Sequence, residues 1–124
     1  MIAIDTSALV AILLQEPDAA RFAQAIQDDE EPMLSAASLI ELSRVMKHKQ
    51  GPETKAIIDR LVEKAGITIA SVTPLQAEIA CAAGYRFPVL NFGDVFSYAL
   101  AKDRDIDLLF KGDDFSRTDI GVVA

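Results

Sequence analysis

Apolar positions along this chain follow two rhythms. A short unbroken run at residues 2–4 suits a strand buried on both faces, and residues 32–34, 67–72 (I-T-I-A-S-V) and 108–110 read as three further strands, with 120–122 as a weaker fifth. Between them, apolar residues recur three and four apart, as in Phe22 and Ile26, which predicts amphipathic helices. The helices are expected over 8–15, 18–27, 35–49, 53–65, 74–83 and 91–102. Asp18, Ser35 and Asn91 are caps for three of them, Pro74 opens another, and Gly66 stops the fourth. Residues 84–90 read as a loop. Strands alternating with helices imply an α/β fold with a central parallel sheet.

Composition narrows the class. A chain of 124 residues that is 51% hydrophobic suits one domain, 1–124, with a real core. No apolar run reaches the ~18 residues of a membrane span. The first residues lack the basic start and cleavage pattern of a secretory signal, so no membrane partner and a cytoplasmic setting are expected. The single Cys81 excludes a disulfide framework and a cysteine zinc cluster; its Ala-rich helical context predicts a buried core thiol. The net charge of −7 argues against wrapping nucleic acid by electrostatics alone. It leaves room for acids gathered round a cation. The acidic run 28–31 reads as a solvated turn.

The positions of the acids carry the chemistry. Asp5 ends the first strand, and in an open parallel sheet ligands bind at the carboxyl ends of strands. Asp113 and Asp114 follow the fourth strand after only Lys111 and Gly112, so they leave the sheet at the same edge. Asp94 stands three residues after the Asn91 cap. It is either a first-turn acid favoured by the helix dipole or a member of the acidic site. Glu41 lies mid-helix on a stripe with Arg44 and His48, beside the apolar stripe of Ala36, Leu39, Leu42 and Met46. It is either half of a solvated Glu41–Arg44 pair or an acid leaning over the strand ends. Crowded carboxylates repel unless a cation offsets them, and oxygen-only sites suit magnesium or manganese. A metal-bound water could then attack a phosphodiester. No Ser–His–Asp set is visible, and His48 reads as a surface residue.

Four segments, I-D-T-S-A-L-V-A-I-L, S-A-A-S-L-I-E-L-S, L-N-F-G-D-V-F-S-Y-A-L-A-K and L-L-F-K-G-D-D-F, together resemble PIN-domain ribonucleases, in particular VapC-type toxins of bacterial toxin–antitoxin pairs. The resemblance runs in order over nearly the whole chain. It implies a three-layer α/β/α PIN-like domain and a magnesium-dependent endoribonuclease, with manganese as an alternative ion. It carries the four acids over as Asp5, Glu41, Asp94 and Asp113, with Asp5, Asp94 and Asp113 as metal ligands. Thr6, Ser7 and Asp114 take supporting positions around them. The implied partners are an RNA substrate, often transfer or ribosomal RNA, a cognate VapB-type antitoxin, and a second copy of the chain in a homodimer. Leu9, Ile12 and Leu13 serve either that dimer or the core. One departure stands out. Otherwise similar members carry a longer stretch before N-F-G-D, rich in Gly, His and basic residues, where this chain has only residues 86–90.

Basic residues near the expected cleft are few. Lys111 beside the fourth acid and Arg44 beside Glu41 are the candidates for holding RNA, with salt-sensitive binding expected. Rival acid-pocket folds fit poorly. A phospho-acceptor receiver needs paired acids after its first strand, and a haloacid-dehalogenase-like phosphatase needs an Asp where Ser7 stands. A PIN fold that only binds RNA or antitoxin remains the alternative to the enzyme.

Overall fold

The computed structural model describes residues 1–123; Ala124, the end of the expected domain, lies outside them. Four parallel strands form one sheet, β1 (Ile2–Ile4), β2 (Pro32–Ser35), β3 (Thr68–Ala70) and β4 (Asp107–Leu109). Between them run α1 (Thr6–Leu13), α2 (Ala19–Asp28), α3 (Ala36–Gln50), α4 (Thr54–Ala65), α5 (Pro74–Arg86) and α6 (Asp94–Arg104). The sheet order is β3-β2-β1-β4. The chain thus starts mid-sheet, moves outward through β2 to β3, and then returns to the other side of β1. That reversal opens a crevice at the carboxyl ends of β1 and β4.

Alternation along the strands builds the layers. Ile2, Ile4, Leu34 and Leu109 join Leu9, Phe22, Ile26, Leu42, Met46 and Ile58 on one face. Ala3, Met33 and Leu108 join Ala83, Leu90, Tyr98, Leu100 and Phe115 on the other. The three-layer α/β/α architecture expected from sequence is therefore what forms. β1 is buried on both faces, which is why its run is unbroken rather than alternating. Leu9 lies in the core, and Ile12 and Leu13 pack on its margin.

Local signals set most boundaries. Ser35 accepts a hydrogen bond from the Ala37 amide and caps α3; Thr73 caps α5 ahead of Pro74; Gly66 closes α4 in the left-handed region at φ 64°. Asn91 and Asp94 cap each other reciprocally, the Asp94 amide donating to Asn91 Oδ1 and the Asn91 amide to Asp94 Oδ2.

Five expectations need correction. The helix α5 runs through Gly84 to Arg86 instead of ending at 83, because Ala80, Ala83 and Phe87 continue its packing face. Residues 120–122 form no full strand; a single bridge pairs Leu108 with Val122 at the outer edge of β4. Asp18 precedes α2 but makes no side-chain cap, because its carboxylate pairs with the Lys111 ammonium. Cys81 is exposed: α5 turns Gln76, Ala80 and Ala83 inward, one position out of phase, and the alanines on either side of Cys81 could not show that. Within the acidic run, Asp29 is not simply solvated. It accepts from the Ile2 and Glu31 amides and lies 3.3 Å from the Met1 amine, tying the starts of β1 and β2 together.

Candidate active site

The crevice between β1 and β4 is an open cleft of about 400 Å³ lined by Asp5, Thr6, Ser7, Val10, Glu16, Glu41, Val45, Asn91, Asp94 and Lys111. Asp5 sits at its floor, only 4% exposed. Its backbone is extended, so the strand ends and α1 begins at the next residue, and its Oδ2 accepts from the Ser7 amide at 3.0 Å. Its Oδ1 accepts from the Ser97 hydroxyl at 2.6 Å. Ser97 is fully buried and lies 3.3 Å from the Ser38 hydroxyl, while the Thr6 hydroxyl donates to the Ser38 carbonyl. Three helices thus fix one carboxylate. Ser97 went unread in the sequence. Its one signal was its place a turn after Asp94 on the same helix face, and a mid-helix serine carries little information by itself.

Asp94 enters from the first turn of α6. Burial pushes its pKa up to about 6; the Asn91 amide pulls it down, and the charges of Asp5, Asp114 and Glu41 raise it further. Glu41 enters from α3, half-buried. Its carboxylate lies so close against Gly93 that any Cβ there would overlap it. Among the described residues no ion pair joins Glu41 to Arg44. Arg44 instead flanks an apolar groove with Ile40, Phe92 and Phe96 that adjoins Glu41. His48 is exposed, as expected.

The structure brings Asp5, Glu41 and Asp94 into one cleft and leaves Asp113 and Asp114 outside its lining, both exposed. Asp113 precedes a short 3-10 turn, Asp114–Arg117. Of the two, Asp114 is the one whose charge acts on Asp94. Ser7 accepts from the Lys111 amide at 2.9 Å, tying the β4 exit to the start of α1. The Lys111 ammonium is bound by Glu16 at 2.7 Å and Asp18 at 3.2 Å, which hold its pKa above the ordinary lysine value.

Residues 2–121 match the PIN domain family. The chain belongs to the PIN-domain family. A VapC ribonuclease of Mycobacterium bovis, Mb0640, is 42% identical to it over 127 aligned positions, covering 98% of this chain and 97% of that one. Ribonuclease VapC28 of Mycobacterium tuberculosis is 43% identical, covering 94% and 93%. Among solved structures, the Mycobacterium tuberculosis toxin VapC20, described as cleaving the sarcin–ricin loop, superposes with a TM-score of 0.82 at 18% identity over 99% of this chain and 98% of that one. A toxin–antitoxin complex from Klebsiella pneumoniae gives a TM-score of 0.75 at 19% identity, over 100% and 97%. At those identities the structural likeness is one of fold. In this chain α5 and α6 are joined by residues 87–93. No helix among the described residues is long and apolar enough to cross a membrane.

The donor set bears on a cation. Among the described residues no three acids, histidines or cysteines close into a ready-made cage. The cleft instead offers oxygen donors only, spaced round open volume, with Asp94 short of positive charge. That arrangement fits a hard divalent cation of the kind that binds through one or two carboxylates and keeps several of its waters.

Proposed function

We propose that this chain is a VapC-type toxin, an endoribonuclease that hydrolyses RNA phosphodiesters with a divalent metal, magnesium or manganese. The observation that carries the reading is the convergence of Asp5, Glu41 and Asp94 at the β1–β4 crevice, where burial and neighbouring carboxylates raise Asp94 to about 6. The 42% identity to named VapC ribonucleases supports it. Asp5 and Asp94 would hold the ion, with the Asp113–Asp114 pair contributing the fourth acid. Asp114 is the better placed of the two, because its charge reaches Asp94.

A bound ion would supply the Lewis acid that lowers the pKa of water and offsets charge on the leaving oxygen. The chain's own residues do the rest. Ser97 and the Ser7 amide fix the Asp5 carboxylate, so it needs no reorganisation when substrate arrives. Thr6 holds the α1–α3 contact behind it through the Ser38 carbonyl. Glu41, held against Gly93, is the acid that receives the proton of the attacking water. Lys111 contacts the RNA backbone, and Arg44 flanks its path.

Transfer or ribosomal RNA is the proposed substrate class. A VapB-type antitoxin is the proposed inhibitor and a homodimer the proposed assembly; neighbours in the fold comparison include toxin–antitoxin complexes. The deciding experiment incubates bacterial RNA with purified protein in magnesium, manganese or EDTA, parent beside Asp5→Asn. Discrete fragments that require both metal and Asp5 support the reading. Folded, antitoxin-free protein that cuts nothing in either metal overturns it in favour of a binding-only PIN domain.

A further inference from the structure

Lys111 is the single cation among the residues lining the cleft, and the fold does not leave it free. Its backbone is pinned beside Asp5 by the Ser7 hydroxyl. Its side chain reaches across to the α1–α2 turn and meets two carboxylates there, Glu16 at 2.7 Å and Asp18 at 3.2 Å. The turn is shaped for this. Gln15 takes a left-handed φ of 54°, and the Glu16 amide donates back to the Ala11 carbonyl, which turns Glu16 toward the cleft. Asp18 stands at the start of α2 but gives up the cap that an Asp there would normally supply. The three side chains remain partly solvated, at 39%, 33% and 29% exposure for Lys111, Glu16 and Asp18. Ion pairs at such exposure are weak, so another oxyanion can exchange into them. A phosphodiester carries the same charge as one carboxylate and accepts the same hydrogen bonds.

We infer that Lys111 is a phosphate-holding subsite of the cleft, kept closed by an acid clasp of Glu16 and Asp18 that a substrate RNA phosphodiester displaces. The inference rests on the ribonuclease reading and deepens it: the clasp sets how tightly RNA is held, and the acids at the cleft floor set how fast it is cut. Opening the clasp therefore acts on KM and leaves kcat in place.

The test compares parent, the double variant Glu16→Gln with Asp18→Asn, Lys111→Met and Lys111→Arg. Binding is read separately from cleavage, by anisotropy of a fluorescein-labelled hairpin oligoribonucleotide on an Asp5→Asn background. The double variant is expected to tighten binding and lower KM by roughly 3- to 10-fold with kcat within about twofold, because a freed lysine gains one phosphate contact. Lys111→Met weakens binding and flattens its salt dependence; Lys111→Arg keeps both. Adding the double variant to Lys111→Met removes the gain, since no cation remains to be freed. Three results would overturn the clasp: unchanged or weaker RNA binding in the double variant, a kcat loss with unmoved KM, or an equal gain in the Lys111→Met background, which would mean general charge removal. A parent that binds the hairpin but cuts nothing refutes the ribonuclease reading and leaves the clasp to the binding data.

Discussion

Asp94→Asn should stabilise the metal-free protein at neutral pH, and the gain should vanish as the pH falls. Burial and the charges of Asp5, Asp114 and Glu41 raise the Asp94 pKa from 3.8 to about 6 in the folded protein. The sign follows. Above both values Asp94 is ionised folded and unfolded, and the fold bears the cost of a half-buried charge among like charges. As the pH drops through about 6 the folded state takes up a proton that the unfolded chain does not, so the parent gains stability down to about pH 4. A shift near two units corresponds to ~3 kcal/mol in full. Asp94 is half-exposed, so solvent screening reduces the usable part to ~1 kcal/mol. Asparagine removes the charge and keeps the oxygen that accepts from the Asn91 amide, so the cap at α6 survives. For a domain of this size ~1 kcal/mol is roughly 4 °C in Tm. Thermal melts in EDTA from about pH 4.5 to 8 would read the difference, largest at the alkaline end and closing through pH 6. Magnesium should reverse the order at neutral pH, because only the parent has the carboxylate that gains from it. An Asp94→Asn variant that is less stable than the parent in EDTA at neutral pH, or offset equally at every pH, would refute the charge-crowding argument.

Other outcomes follow from the same geometry. Asp5→Asn should cut RNA ~100-fold or more slowly while melting within a few degrees of the parent, since one preorganised electrostatic group is lost while the amide oxygen still accepts from the Ser7 amide and the new NH2 donates to the Ser97 hydroxyl oxygen in place of accepting from it; RNA fragment analysis beside a melting curve checks both halves. Gly93→Ala should lower cleavage by ~10-fold or more with little change in Tm, because the new methyl group displaces the flexible end of Glu41 rather than backbone; unchanged cleavage would remove Glu41 from the site. Ser97→Ala should cost about 1.5–3 kcal/mol in urea denaturation, the usual worth of a hydrogen bond to a charged acceptor, and should slow cleavage by loosening Asp5. A stability loss that leaves cleavage untouched would make Ser97 a packing residue only.

The sequence carried β1, β2 and β4 well because each centres on a short apolar run, and Ile4 and Leu34 are fully buried, as such a run requires; β3 is mixed in sequence, exposes Thr68 and Ile69, and is shorter than the expected 67–72. It placed Asp5 at the end of a strand and Asp94 in the first turn of a helix because those positions have local signatures that tertiary contacts do not overrule. It misjudged Cys81 because alanine looks the same on either side of α5. It misjudged Asp18 because capping is local, whereas the Lys111 ammonium comes from the exit of β4, 93 residues away. Ser97 was invisible for the same reason: its partner Asp5 is 92 residues distant. The choice between Asp113 and Asp114 turns on the backbone of Gly112, at φ 100°, and the 3-10 turn that follows. Adjacent identical residues offer no periodicity by which to choose.

The acids of this chain differ in what meets them. Among the described residues, five acids outside the cleft floor are met by positive charge: Asp29 by the Met1 amine, Asp59 by Lys55, Asp119 by Lys102 and Arg86, Glu16 and Asp18 by Lys111. Asp119 also accepts from the Tyr98 hydroxyl and is held below the usual carboxylate range by it. At the floor, neutral donors hold Asp5 and Asp94, and no cation among the described residues comes within ion-pair distance of Asp5, Glu41 or Asp94. The one lysine that lines the cleft is turned onto acids at its rim. Unpaired acids at an exposed surface are solvated, whereas those gathered where strand order reverses are partly buried and crowded, so the fold accepts instability at that point. That instability is relieved by whatever positive charge arrives from outside, so the stability of the empty cleft and its affinity for a cation must move in opposite directions along any series of substitutions that removes carboxylate charge there.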